Sequence, residues 1–323
     1  MKKFILYLNI LFCFSTLLEE VRKENVDKAL LYLPKRENVD LLKMIIEIAR
    51  TIEKYSLTNA ETAYLVYKWI GQNFKNDCSY GNGTALPESV YKNGEGGDIG
   101  IAKLFNMIMN YLDIESNVII GSKKIRLYSY KGNKFEIKDS AWNSILIGDK
   151  YYLLDAADGT NEAGRCDDFN YGKKDDYFGI DPELSLRFRF PDEKKWQLTP
   201  KYITREIFKK QAILFEGYFK YFKNISHDVQ TLEYGDKYTI TLTVKDPNIK
   251  KLYFYEEEVE VGYILPSIPL FDIEIEVKNG TIKYDIDPLY DSCYYEVEVF
   301  DESEKHYRLF GYNIYSEEYN NNK

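Results

Sequence analysis

Apolar residues recur at helical spacing up to Leu112 and alternate with polar ones beyond Pro200. One kind of element cannot satisfy both periods, so the chain divides into two kinds of unit. Leu41, Ile45, Ile48, Ile52 and Tyr55 form one helical stripe. Thr58 and Glu61 have the spacing of a capping box, after which Ala63, Val66, Tyr67, Ile70 and Phe74 continue the stripe. A polar loop, Asn76 to Gly97, precedes a third helix whose face carries Ile101, Leu104, Phe105, Ile108 and Leu112. Ile99, Ala102 and Met109 widen that face nearly all the way round, which predicts a helix buried between layers. Past Pro200, residues 212–219, 237–244, 250–255, 271–277, 281–286, 293–299 and 305–312 read as strands rich in Tyr, Phe, Ile and Val. Stretches 271–277 and 281–286 alternate cleanly around Asn279-Gly280, the signature of a type I′ hairpin. The fold class predicted is α+β followed by an all-β sandwich of immunoglobulin-like topology.

Two local features point to a site. Ser140 to Thr160 reads as a hairpin, with Trp142, Ser144–Ile147 and Tyr151–Leu154 as strand formers and Gly148-Asp149 as the turn. Ser140 and Asp155 then stand near the outer ends of the two strands, so Ser140, Trp142 and Asp155 line one site or simply belong to a buried hairpin. Gly94-Glu95-Gly96-Gly97 gives a flexible approach to the third helix, and Asp98 stands where an N-cap belongs, with the helix running from Ile99. A cysteine there would be an activated nucleophile, because free N–H groups and the helix dipole favour an anion. This chain has an aspartate instead.

Tyr67-Lys68-Trp69-Ile70, then Asn73 and Asp77-Cys78, are followed by Gly96-Gly97-Asp98-Ile99-Gly100-Ile101-Ala102-Lys103-Leu104-Phe105. Next come Asp139-Ser140-Ala141-Trp142-Asn143, Tyr151-Tyr152-Leu153-Leu154-Asp155, and a closing set of Tyr177-Phe178, Asp181-Pro182-Glu183, Pro191-Asp192 and Trp196-Gln197-Leu198. In order and spacing these motifs resemble the transglutaminase-like superfamily, in particular its kyphoscoliosis-peptidase-like branch, over roughly Asn59 to Leu198. The resemblance implies a transglutaminase or papain-like cysteine-protease fold. It also implies a thiol nucleophile delivered to a helix N-terminus, a histidine base on the next strand and an aspartate that orients the base.

By that resemblance Asp98 occupies the nucleophile position, Ser140 the base position and Asp155 the orienting position. Arg189 stands where many relatives have a histidine before a Phe-Pro pair. A carboxylate at a helix N-terminus is a poor nucleophile toward amides, and serine does not accept a proton at neutral pH. Thiol chemistry needs all three groups, and two are replaced. Cys78 is the nearest other thiol and is read as a core or disulfide cysteine, while Asp98 and Asp155 as a proton-sharing carboxylate pair remain a lesser alternative. The functional expectation is a catalytically inactive transglutaminase-like protein acting as a protein- or glycan-binding or structural module. The alternative is a working acyl-transfer or peptidase enzyme that uses non-standard residues.

Met1-Lys2-Lys3 and the apolar run from Phe4 to Leu18 read as a signal peptide, with small Cys13 and Ser15 before the cleavage point. The run is roughly 15 residues, short of the about 20 that span a bilayer. The alternative is an uncleaved anchor or a buried helix. The expected organisation is a signal peptide over 1–18, a helical segment over 19–57, a transglutaminase-like domain over 58–200, a β-sandwich over 208–319 and a disordered tail over 320–323. Sequons at Asn82, Asn224 and Asn279 fit a secretory route and a glycoprotein. Removal of the leader leaves Cys78, Cys166 and Cys293, at most one internal disulfide. The histidines are His227 and His306, and no Cys/His spacing suits zinc, so neither metal nor cofactor is expected. A net charge of −9 gives no electrostatic reason to bind nucleic acid, which leaves a protein or an extracellular surface polymer as the expected partner.

Overall fold

The computed structural model describes residues 17–77, 86–129, 132–159, 174–258, 268–274, 280–286, 292–301, 303 and 305–315. The leader up to residue 16, Cys78, Cys166, Asn82, Asn279 and the tail lie outside them, so the readings placed there are not addressed by the fold. Leu17 and Leu18, the end of the expected leader, open a short 3-10 turn whose Leu17 is buried against Gly179.

The helical stripes fold as their spacing predicts. Helices α1 (Lys23–Leu30), α2 (Leu41–Tyr55) and α3 (Asn59–Asn73) come first, and α2 buries Met44, Ile45, Ile48 and Thr51. Thr58 and Glu61 make the reciprocal capping box at the start of α3. Glu61 is also gripped by Arg22, whose Nη2 lies 2.7 Å from its Oε2, and these hydrogen bonds hold its carboxyl down at about 2. The expected loop from Asn76 to Gly97 contains more structure than its polarity suggests. Strand β1 (Lys75–Asn76) pairs in parallel with β2 (Glu95–Gly96), and α4 (Pro87–Asn93) lies between them, started by Pro87 and ended by Gly94 at φ +75°. The approach to the next helix is therefore a capped turn and a paired strand.

That next helix, α5 (Asp98–Tyr111), packs against the sheet, burying Ile101, Ala102, Leu104, Phe105, Ile108 and Met109. The sheet comprises β3 (Ser116–Ser129), β4 (Gly132–Ile147), β5 (Lys150–Leu154), β6 (Phe178–Ile180) and β7 (Arg189–Pro191) in the order β6-β5-β4-β3-β7, antiparallel throughout. The expected hairpin is β4 and β5, turning at Gly148 with φ +62°. A one-turn helix α6 (Ala156–Gly159) follows β5, and α7 (Pro182–Phe188) precedes β7. All three tryptophans, Trp69, Trp142 and Trp196, lie in the one apolar cluster of this unit.

Helix α8 (Arg205–Lys210) leads into the second unit. The stretch expected as a strand over 212–219 is a two-residue strand β8 (Ile213–Leu214) followed by helix α9 (Glu216–Tyr221). Tyr218 and Tyr221 face the same core from that helix, so an aromatic-rich sequence satisfies its burial with a period other than two. Strands β9 (Phe222–Ile225), β10 (Thr231–Glu233), β11 (Tyr238–Val244), β12 (Ile249–Glu258), β13 (Ile268–Glu274), β14 (Thr281–Ile286), β15 (Ser292–Asp301) and β16 (His306–Tyr315) complete two sheets. Their orders are β14-β11-β9 and β10-β16-β15-β12-β13, with β8 also on β16 and β10 parallel to it. The chain crosses between the sheets after β8, β9, β10, β11, β13 and β14, and the two sheets share one apolar core as a β-sandwich. Among the described residues β13 pairs with β12 and β14 with β11, not with each other as the hairpin expected at Asn279-Gly280 requires; Asn279 itself lies outside them. Ile282, Tyr284 and Ile286 still point inward, because alternation fixes the buried face and not the partner strand.

Candidate functional site

The three residues singled out by sequence lie deep at the junction of α5, β4 and the end of β5. Their exposures are 1% for Asp98 and 0% for Ser140 and Asp155. Asp98 is the first residue of α5 and not its cap; Gly97 holds the N-cap position without a side-chain bond. The aspartate is drawn away from the helix end by two side-chain donors. Asn76 Nδ2 donates to its Oδ1 at 2.8 Å, and Ser140 Oγ donates to its Oδ2 at 2.5 Å. Pairing of β1 with β2 sets Asn76 beside Gly96 and so places its amide next to the start of α5.

Ser140 stands opposite Gly121 on β3, where the backbone of β7 comes unusually close. A Cβ at Gly121 would lie 2.3 Å from the Phe190 carbonyl oxygen and 2.7 Å from the Trp142 ring. Only glycine allows this approach. Asn143, next along β4, donates from Nδ2 to the Ala102 carbonyl at 2.9 Å and ties the strand to α5.

Asp155 forms a different set of contacts. Its Oδ1 accepts from the Asp158 amide at 3.0 Å, capping the one-turn α6, and its own amide donates to the Tyr177 carbonyl at 2.8 Å. Its Oδ2 accepts from Arg189, Nε at 2.9 Å and Nη2 at 2.8 Å. The same guanidinium bonds Asp158, which also receives Lys123 Nζ at 2.5 Å. Arg189, Lys123, Asp155 and Asp158 are thus one buried ion cluster, with Asp98 bonded to Ser140 and Asn76 beside it. Burial pushes the Asp155 carboxyl up to about 7, helped by the neighbouring Asp158 and Asp98 and opposed by Arg189 and Lys123. Burial acts the same way on Asp158, but Lys123 and Arg189 outweigh it and hold that carboxyl below the usual range.

The structure joins Asp98 to Ser140 and sets Asp155 on Arg189 and the Asp158 amide. Asn76, Lys123 and Asp158 were missed, and Arg189 was noted without a role. Some signal existed: Asp155 and Asp158 have the spacing of a cap, and Lys123-Lys124 stands between Ile119-Ile120 and Ile125 on one strand. His227 bonds Ser226 on the sandwich, its Nδ1 2.8 Å from Ser226 Oγ, and takes no part in the cluster. Among the described residues no group of three or more His, Cys, Asp or Glu side chains is arranged to hold a metal ion. Chemically the cluster can bind helix, sheet and α6 together. Each carboxylate oxygen of Asp98, Asp155 and Asp158 is engaged by a donor, and all three side chains are buried.

Residues 46–156 match the family model described as the transglutaminase-like superfamily. The protein named LIM and transglutaminase domain protein ltd-1 from Caenorhabditis elegans is 24% identical over 210 residues, 59% of this chain. The chain spans 28% of that relative's length. Among solved structures, a superoxide reductase from Ignicoccus hospitalis aligns with a TM-score of 0.22 at 13% identity, over 28% of this chain and 77% of its own. A lytic polysaccharide monooxygenase from Jonesia denitrificans aligns at 0.19 and 9% identity, over 28% and 61%. Likeness of that size carries no argument about this chain. Among the described residues no helix is long and apolar enough to cross a membrane.

Proposed function

Residues 46–156 form a transglutaminase-like domain, and from that premise we propose that the chain is a secreted, non-catalytic transglutaminase-like protein. It works as a binding or structural module toward a protein or an extracellular surface polymer. The observation that carries this reading is the hydrogen bond from Ser140 to Asp98 at full burial. The nucleophile and base positions of the family are spent on each other. Asp155, the orienting position, is held by Arg189 and is not free to hold an imidazole. Acyl transfer by this scaffold requires a thiolate, a base in reach of it and an accessible face, and the sequence supplies an acid and an alcohol at the first two positions.

The test is direct. Purified protein should neither cross-link a glutamine peptide to an amine nor hydrolyse it. The pair Asp98→Cys and Ser140→His should also stay slow, with a thiol no faster toward iodoacetamide than an ordinary cysteine, because Arg189 still occupies Asp155. Adding Arg189→Gln should raise that alkylation rate at mildly acidic pH, where only a depressed-pKa thiolate reacts. Turnover of the glutamine peptide by the wild type, abolished by Asp98→Ala, would overturn the reading. For the route, expression in a secretory host should release protein lacking residues to about Ser15. Cytosolic protein that retains Met1 would contradict it.

A further inference from the structure

Strand β3 carries two consecutive lysines that are both fully buried, Lys123 and Lys124. Successive strand residues face opposite sides, and these two part accordingly. Lys123 reaches Asp158 in the ion cluster, whereas Lys124 turns to the seam between the transglutaminase-like domain and the sandwich. There Lys124 Nζ donates to the Gln211 carbonyl at 3.0 Å and lies 4.9 Å from the centre of the Phe208 ring. Gln211 joins both sides: its side-chain amide donates to the Leu186 carbonyl, and the next residue, Ala212, enters the sandwich core. Phe188, Ile213 and Phe215 close an apolar cluster of their own. The charged groups facing Lys124 are Arg187 of α7 and Asp228, which bond each other at 2.5 Å.

Among the described residues no carboxylate lies within ion-pair distance of Lys124. An ammonium has three N–H groups to satisfy, and one carbonyl with one ring face is a poor exchange for its hydration. We propose that Lys124 couples docking of the two units to a proton, the seam closing on the neutral amine and loosening when the amine becomes charged. Burial, with the nearby Arg187 adding to it, brings the Lys124 amine down from the ordinary 10.5 to about 7. An opened seam restores water and the ordinary value. Between those two values opening takes up a proton, so each unit fall in pH favours opening about tenfold. Below pH 7 both states are charged and the dependence levels off.

Hydrogen exchange of the seam amides Ile213 and Phe215 in the full chain, corrected for the chemical rate's own pH dependence, measures this. From pH 9.5 to 7.5 the opening constant should rise about a hundredfold in the wild type. In Lys124→Met it should stay flat and be smaller at both ends. Equal slopes in the two proteins would overturn the proposal. If the variant fails to fold, the 13Cε resonance of Lys124 in the native protein decides: a midpoint near 7 supports the proposal, and a side chain still charged at pH 9.5 refutes it.

Discussion

In the first unit Asp98, Lys123, Asp155, Asp158 and Arg189 are all buried between the sheet and its helices, whereas the buried acids described in the sandwich are Glu298 and Asp301 on β15. Asp301 sits at the end of its strand, where it accepts from the Ser303 and Lys305 amides and from Tyr221, so it serves a turn. The sandwich centre is made instead of Ile240, Leu252, Phe254, Val297, Phe310 and Ile314. The first unit therefore adds to its apolar core a charged cluster whose geometry is fixed, whereas the second relies on apolar packing that can relax. Buried ion clusters are seldom more stable than apolar packing of the same shape, yet removing one member leaves an uncompensated charge. The charged centre of the first unit is thus a costly way to build a core, and its loss would be felt at once.

The largest test of this contrast is Arg189→Met, which leaves Asp155 and Asp158 with Lys123 alone. It should cost roughly 3–5 kcal/mol in urea unfolding, and adding Asp155→Asn should recover part of that. A loss below about 1 kcal/mol would place the cluster among surface-like ion pairs. The same cluster sets a pH dependence of its own. Because the Asp155 carboxyl is raised, its contribution is complete below about 3.9, the unfolded value. That contribution is lost as pH rises through about 7. Asp155→Asn should flatten stability across that window; an unchanged slope would assign the titration elsewhere.

Asp98→Ala comes next, at about 1–3 kcal/mol, since the Asn76 amide and Ser140 hydroxyl lose their acceptor while buried. Asp98→Asn keeps the size and part of the bonding and should cost less. If the two variants melt together, the bonds seen at Asp98 contribute nothing. The smallest effect belongs to the sandwich: Ile240→Val should cost about 0.5–1.5 kcal/mol, equal at pH 4 and pH 7. A pH-dependent loss there would show that the two units do not unfold independently enough for the comparison.

What could be read from the sequence follows how local the cause is. The capping box at Thr58, the stripe of α2 and the Gly148 turn depend on residues a few positions apart, and each forms as expected. Asp98 shows the limit: its type fits a cap, but donors at Asn76 and Ser140, remote in sequence, engage it one position inside the helix. Stretches 271–277 and 281–286 have an ideal turn between them, yet partner choice rests with β11 and β12, which no local pattern names. The ion cluster was least legible. Lys123 meets Asp158 across 35 positions, and a buried lysine differs from an exposed one only by its surroundings.

The back-to-back lysines of β3 have a consequence for how this gene can change. A single-residue insertion between Ser116 and Lys123 would exchange their faces, taking one side-chain nitrogen from Asp158 and the other from Gln211 at once. No compensating change at one partner repairs both. The strand is therefore closed to length variation over that stretch, while the open space around Gly148 leaves the neighbouring turn free to grow. Relatives that share the two lysines should agree in the length of this strand and differ in that turn.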